Sequence, residues 1–206
     1  MKVLLINGSS KEGCTYTALS EVVRSLNEEG IETEIINLGP NAVRDCIGCG
    51  MCAKNGNARC IFDDDICNKI SEKFKEVQAL IVGSPVYYGQ PNGALLSIIQ
   101  RAFYSNGANI SGKPAASIAV CRRGGATAVF ESLNMPFQMM NMPIVTSQYW
   151  NIVYGRTPGD AAMDTEGLQT MRTLARNMAW LLKSTNGEKA PGRPTEEAWE
   201  AMHFIR

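Results

Sequence analysis

Four cysteines fall within one short stretch, Cys46-x2-Cys49-x2-Cys52-x7-Cys60. Cys-x2-Cys-x2-Cys is a spacing that wraps an iron–sulfur cube, with a fourth thiolate arriving from elsewhere in the chain. Gly48, Gly50 and Gly56 let the backbone curl so that the sulfurs converge. The proline that follows the last cysteine of bacterial ferredoxin runs is absent, and Ile61 stands in its place. Four thiolates also suit tetrahedral zinc. A thiol–disulfide role, or four small side chains in a loop without metal, are the remaining readings. The other three cysteines are Cys14, Cys67 and Cys121. Cys67 on a helix stripe and Cys121 after a strand read as small buried hydrophobes. Cys14 opens a helix, a position that can lower a thiol pKa, although packing or a ligand contact is the preferred role. Seven cysteines, an odd number, argue against a disulfide framework.

A second group of residues is suited to an anion. Asn7-Gly8-Ser9-Ser10-Lys11-Glu12-Gly13-Cys14-Thr15 offers glycines for close approach, three hydroxyls, one lysine and a helix start. Backbone N–H groups at a helix N-terminus, with nearby hydroxyls, are what a phosphate needs. The segment is neither Gly-x-Gly-x-x-Gly nor a Walker loop, which disfavours a dinucleotide or a nucleoside triphosphate and leaves a single terminal phosphate. Gly83-Ser84-Pro85-Val86-Tyr87-Tyr88-Gly89-Gln90-Pro91 is stiff and aromatic, a surface on which a flat ring can pack. Arg122-Arg123-Gly124-Gly125 forms a third glycine-bearing loop, whose arginines are either anion contacts or surface charges.

These loops need a scaffold that brings them together. Val3–Ile6, Ile31–Ile36, Val77–Val82 and Ala115–Val120 are apolar runs of strand length, and Ile144–Ser147 is a weaker fifth. Between them run helical patterns. One carries Leu19, Val22, Val23 and Leu26 and closes at Glu29-Gly30. Another, capped by Asp63 or Asp64, carries Cys67, Ile70 and Phe74. Two more span Ala94–Tyr104 and Ala126–Met139, and a long one capped by Asp164 runs from Leu168 to Leu182. Five strands alternating with five helices predict an α/β chain, a three-layer doubly wound sandwich around a parallel sheet. Ligands of such sheets bind beyond the C-terminal strand ends, where all three loops lie. Residues 1–184 form the expected domain. Residues 185–206, rich in turn signals, read as an extension packing on the domain or on a neighbouring subunit.

Composition narrows the function. Lys+Arg and Asp+Glu are 20 each among 206 residues, so no basic excess invites nucleic acid. A neutral surface also opposes self-association weakly. The single histidine, His203, excludes a multi-histidine metal site. No apolar run is long enough to span a membrane and no signal-peptide pattern is present, so the expected location is cytoplasmic.

Gly8-Ser9-Ser10 with Thr15, Gly83-Ser84-Pro85-Val86-Tyr87 and Arg123-Gly124-Gly125-Ala126 together resemble the NAD(P)H-dependent FMN reductases of the flavodoxin-like superfamily. Ser147-Gln148-Tyr149-Trp150-Asn151, with Gly155 and Pro158, extends the resemblance, as does Asp164 through Trp180 to the terminal Phe204-Ile205-Arg206. The resemblance implies a five-stranded sheet of order 2-1-3-4-5. It implies FMN phosphate held by Ser9, Lys11, Thr15 and Cys14, and the isoalloxazine ring on Pro85, Val86, Tyr87, Tyr88 and Gly89, beside Arg122, Arg123, Gly124 and Gly125. No general base is required. Tyr87 and Tyr88 would tune the flavin, and Trp150 would cover its active face. It implies electrons passing from NAD(P)H through FMN to a flavin, quinone or other small acceptor, and a homodimer or homotetramer with the apolar 135–153 stretch at a contact. The related iron–sulfur flavoproteins carry the same compact motif, and that likeness implies a [4Fe–4S] cluster on Cys46, Cys49, Cys52 and Cys60 with ferredoxin as partner. An electron carrier of flavodoxin type without nicotinamide turnover is the binding-class alternative.

Overall fold

The computed structural model describes residues 1–186. Of the expected extension 185–206, residues 187–206, with His203 and Phe204-Ile205-Arg206, lie outside the described residues. Strands β1 (Lys2–Asn7), β2 (Glu32–Asn37), β3 (Ala79–Pro85), β4 (Ala115–Cys121) and β5 (Ile152–Tyr154) form one sheet. Its order is β2-β1-β3-β4-β5 and every neighbouring pair is parallel. This is the doubly wound, flavodoxin-like arrangement expected. Successive strand residues face opposite sides, which explains the unbroken apolar runs. Val3 and Leu5 pack into a layer with helices α1 (Cys14–Glu28), α6 (Pro158–Met163) and α7 (Thr165–Asn186). Leu4 and Ile6 point into the other layer, with α3 (Cys67–Glu72), α4 (Gly93–Asn106) and α5 (Ala126–Met139). The short helix α2 (Met51–Asn55) sits inside the cysteine stretch and, like α6, was not marked by any apolar stripe.

Two expectations need correction. The fifth strand is split. Ile144 bridges Ala115 at the start of β4, with Ala115 donating to the Pro143 carbonyl (2.9 Å) and Val145 to the Ala115 carbonyl (2.8 Å). The chain then leaves the sheet over residues 146–151 and returns as β5 beside Ala119–Cys121. Both Ile-Val pairs carry a strand signal, but the excursion between them is invisible to periodicity. It is held by Asn151, whose Nδ2 donates to the Ser117 carbonyl at 3.1 Å. The second correction concerns α3. Neither Asp63 nor Asp64 caps it; Ile66 is the N-cap, and Asp65 accepts the Cys67 N–H at 3.0 Å. Asp63 and Asp64 pair with Arg59 and Arg44 instead. The stripe Cys67, Ile70 and Phe74 is buried as expected, its last member on a 3-10 turn over Lys73–Lys75.

Asp164 acts as anticipated at the start of α7, accepting the Gly167 N–H at 2.9 Å, and its other oxygen takes the Tyr154 N–H at 2.7 Å. It thereby ties the last strand to the last helix. Glu21 on α1 receives Arg24 and, across the layer, Arg172 of α7 at 2.6 Å. These hydrogen bonds and charges, Arg24 first, hold the Glu21 carboxyl below the usual carboxylate range. A depressed folded pKa adds stability that is complete above the unfolded value, about 4.3, and is lost as pH falls through the lower folded value. Glu21→Gln is therefore expected to lower stability by about 0.5–1 kcal/mol at neutral pH. The difference from wild type should vanish in strong acid, as thermal melts at the two pH values would show.

Candidate functional site

Because the sheet is parallel, the loops after β1, β3 and β4 emerge at one edge. The β1 loop is locked to β3. Gly8 N donates to the Gly83 carbonyl at 2.8 Å, and a Cβ at Gly8 would lie 2.7 Å from that oxygen and from Leu95 Cδ2. Asn7 Oδ1 accepts the Ser9 N–H at 3.1 Å, and Asn7 Nδ2 donates to Asn37 on β2. Ser9 and Thr15 are buried, while Lys11 is exposed. Helix α1 starts at Gly13 with no side-chain cap and no acidic residue in its first turn. No side chain caps its leading N–H groups, an arrangement that suits an anion such as a terminal phosphate.

The β3 loop is a two-residue hairpin turn. Tyr87 and Gln90 exchange both backbone bonds at 2.9 Å, around Tyr88 (φ 51°) and Gly89 (φ 75°). A tyrosine in the left-handed region is strained, and such strain persists where surrounding structure imposes it. Tyr88 is fully exposed and Tyr87 half exposed. The β4 loop closes against this turn. A Cβ at Gly125 (φ 88°) would come within 2.9 Å of Gly89 Cα and 3.0 Å of Val86 Cγ1. Glycines at 8 and 125 therefore let these loops approach more closely than side chains would permit, and Gly83 leaves room for Thr15 and Leu19 of α1. Arg122 and Arg123 are exposed. Arg122 lines a cavity of about 500 Å³ with Tyr154, Arg156, Asp160 and Met163. Burial pushes the Cys14 thiol pKa up rather than down, so Cys14 is not the activated thiol that its helix position alone allowed.

All four motif cysteines line a second cavity, of about 630 Å³. Cys46 and Cys49 come from an irregular loop, Cys52 from α2 and Cys60 from the chain that leads to α3. Gly48, Gly50 and Gly56 all have positive φ, between 61° and 66°, so the curl expected of them is present. The opposite wall is α4, through Gln100, Arg101, Tyr104 and Ser105. The motif cysteines are free thiols. Among the described residues no three His, Cys, Asp or Glu side chains are arranged to hold one metal ion. Four thiols ringing a cavity of this size are instead a donor set that fits a cluster, whose bonds reach each sulfur from a different iron.

Residues that the sequence did not single out organise this wall. Asn68 of α3 clamps the Cys60 backbone, its Oδ1 accepting the Cys60 N–H (2.9 Å) and its Nδ2 donating to the Cys60 carbonyl (3.0 Å). Arg101 lies buried on the apolar face of α4, paired with a buried Asp65. Burial opposes its charge, but Asp65 and Cys60 more than compensate and raise its pKa above the ordinary arginine value. Arg101 follows Ile98 and Ile99 and precedes Ala102 and Phe103, and its partners are distant in the chain, so only the fold reveals it. Cys67 and Cys121 are buried as expected, and burial pushes the Cys67 thiol up to about 12.

Helix α4 joins the two sites. Asn92 caps it by accepting the Ala94 N–H at 2.9 Å and donates its own N–H to Ser84 of β3 at 2.9 Å. From Gly93 to Arg101 is about 12 Å along the helix axis.

Residues 1–157 match the family model described as NADPH-dependent FMN reductase. An iron–sulfur flavoprotein of Methanocaldococcus jannaschii is 34% identical over 192 residues, covering 89% of this chain and 98% of that one. An iron–sulfur flavoprotein of Archaeoglobus fulgidus is 28% identical over 202 residues, covering 90% and 97%. Among solved structures, a flavodoxin from the domain Archaea superposes with a TM-score of 0.60 at 14% identity, covering 89% of this chain and 99% of that one.

Proposed function

The chain belongs to the NADPH-dependent FMN reductase family, and from that premise we propose an FMN-dependent oxidoreductase that exchanges electrons between FMN and a [4Fe–4S] centre on Cys46, Cys49, Cys52 and Cys60. Ferredoxin is the one-electron partner. The observation that carries the reading is the meeting of all four cysteines on one cavity against α4, whose other end adjoins the β3 loop. The names of the two archaeal relatives support it. FMN supplies one- and two-electron chemistry and the cluster supplies single electrons.

The residues hold and orient. Ser9, Thr15 and the first N–H groups of α1 hold the terminal phosphate, with Lys11 and Cys14 beside it. Pro85 to Gly89 carry the flavin ring, and Arg122 to Gly125 border it. Tyr87 and Tyr88 present apolar rings that keep water from its face. No side chain has to move a proton.

A second reading replaces the cluster by NAD(P)H, which passes a hydride to FMN for onward delivery to a flavin, quinone or other small acceptor. The description of the family model favours it. In either reading the chain works as a homodimer or homotetramer, supported by the exposed Met135, Met139, Tyr149 and Trp150. Among the described residues no helix is long and apolar enough to cross a membrane.

Purification without oxygen, followed by a visible spectrum with iron and sulfide assays, tests the choice. Flavin bands together with about four irons and four sulfides per chain are expected. Flavin without iron would favour the nicotinamide reading. No flavin, even after FMN is added, would overturn both.

A further inference from the structure

Among the described residues Arg101 is the largest fully buried side chain, with 1% exposure. Each arm of its guanidinium is engaged. Nη1 meets Asp65 and the Arg44 carbonyl (3.1 Å), Nη2 donates to the Phe62 carbonyl (3.1 Å), and Nε donates to Cys60 Sγ at 3.3 Å. The Phe62 ring lies 5.7 Å from the guanidinium carbon. Asp65 is equally committed, accepting the Cys67 N–H at 3.0 Å and the Arg44 N–H at 3.1 Å. The pair is locked at both ends, so the Nε–H points at one sulfur in a fixed direction. A structural ion pair has no need of that contact. Cys52, by comparison, has its Sγ 3.7 Å from the neutral Tyr104 carbonyl.

We propose that Arg101 is a positioning residue for the cysteine site: it fixes Cys60 at the cavity wall and, through the Nε–H···S bond, favours the reduced form of the cluster held there. The inference rests on the cluster reading given above. When a cluster takes up one electron its ligand sulfurs become more negative. A charged N–H donor then stabilises that form more than the oxidised one, which raises the reduction potential. Lysine cannot substitute, because it lacks the rigid fork that lets arginine bind Asp65, two carbonyls and a sulfur at once.

The test compares the full-length wild type with R101K and with R101M/D65N, all purified without oxygen and loaded with FMN. The double variant removes both members of the buried pair and so leaves no uncompensated charge. FMN, iron and sulfide are assayed, and the cluster is titrated with dithionite under electron paramagnetic resonance. Both variants should keep wild-type FMN. Each should either lose iron or show a midpoint displaced to more negative potential, by more in R101M/D65N than in R101K. Wild-type iron content with an unchanged midpoint would overturn the proposal. Loss of FMN along with iron in both variants would also overturn it, by making Arg101 a support of the whole fold. Absence of iron from the wild type would instead overturn the cluster reading itself, before any variant is compared.

Discussion

Ser9→Ala/Thr15→Ala is expected to weaken FMN binding by about 10²- to 10⁴-fold, since each hydrogen bond to a charged group is worth about 1.5–3 kcal/mol and 1.4 kcal/mol is tenfold. Riboflavin, which lacks the phosphate, should bind nearly as before. The two hydroxyls stand where the β1 loop turns into α1, on side chains that are 7% and 2% exposed. Their burial matters because a hydrogen bond shielded from water is stronger than one on the surface. The uncapped first turn of α1 remains in the variant and retains part of the phosphate affinity. Thr15→Ser is the control for packing. Thr15 Cγ2 fills the space that a Cβ on Gly83 would otherwise occupy, 2.9 Å away, so the serine variant loses that methyl but keeps the hydroxyl. It should bind FMN close to wild type. Titration of both ligands by flavin fluorescence reads the result. An equal loss for FMN and riboflavin would remove Ser9 and Thr15 from the phosphate site.

The parts of this fold that were legible in the sequence are those fixed by local pattern. Strands β1, β3 and β4 are buried on both faces, which produces unbroken runs such as Val3-Leu4-Leu5-Ile6, whereas β2 at the sheet edge is only half-buried and alternates. The long helices show their stripes because each has one side on the sheet. The loops were legible for a different reason. Glycines at 8 and 125 are demanded by close approach to neighbouring backbone, and Gly83 by the Thr15 and Leu19 side chains packed against it. The split of the last strand was not legible, because it depends on which of two Ile-Val pairs meets which part of β4. The cap of α3 was misplaced for a similar reason. Three consecutive aspartates offer the same local chemistry, and the choice among them is made by Arg44, Arg59 and Arg101. Cysteine spacing revealed the motif, but it could not show that Asn68 and Arg101 hold Cys60 from two directions. Those contacts span eight and forty-one residues of chain, beyond the reach of any short pattern.

Cys49→Ala is expected to abolish the iron and sulfide of the protein while leaving its FMN in place. Cys49 is exposed, between Gly48 and Gly50, and lines the cavity that the other three motif cysteines share. Its side chain touches no core packing, so with iron removed from both proteins the stability difference should stay within about 0.5 kcal/mol. Loss of iron could not then be assigned to unfolding. Cys67→Ala supplies the opposite case. Cys67 is 0% exposed, packed on α3 against α4, and its thiol stays protonated because burial raises its pKa to about 12. Truncating it opens a small void and should cost about 1 kcal/mol, with iron unaffected. The two variants thus separate a ligand from a packing residue within one cysteine-rich sequence. Iron per FMN and the thermal midpoint, measured on the same anaerobic samples, report both. Wild-type iron in the Cys49 variant would take that residue off the ligand list and leave three thiols, too few to support the four-cysteine site proposed. Loss of iron in the Cys67 variant alone would move the metal from the open cavity into the layer between α3 and α4.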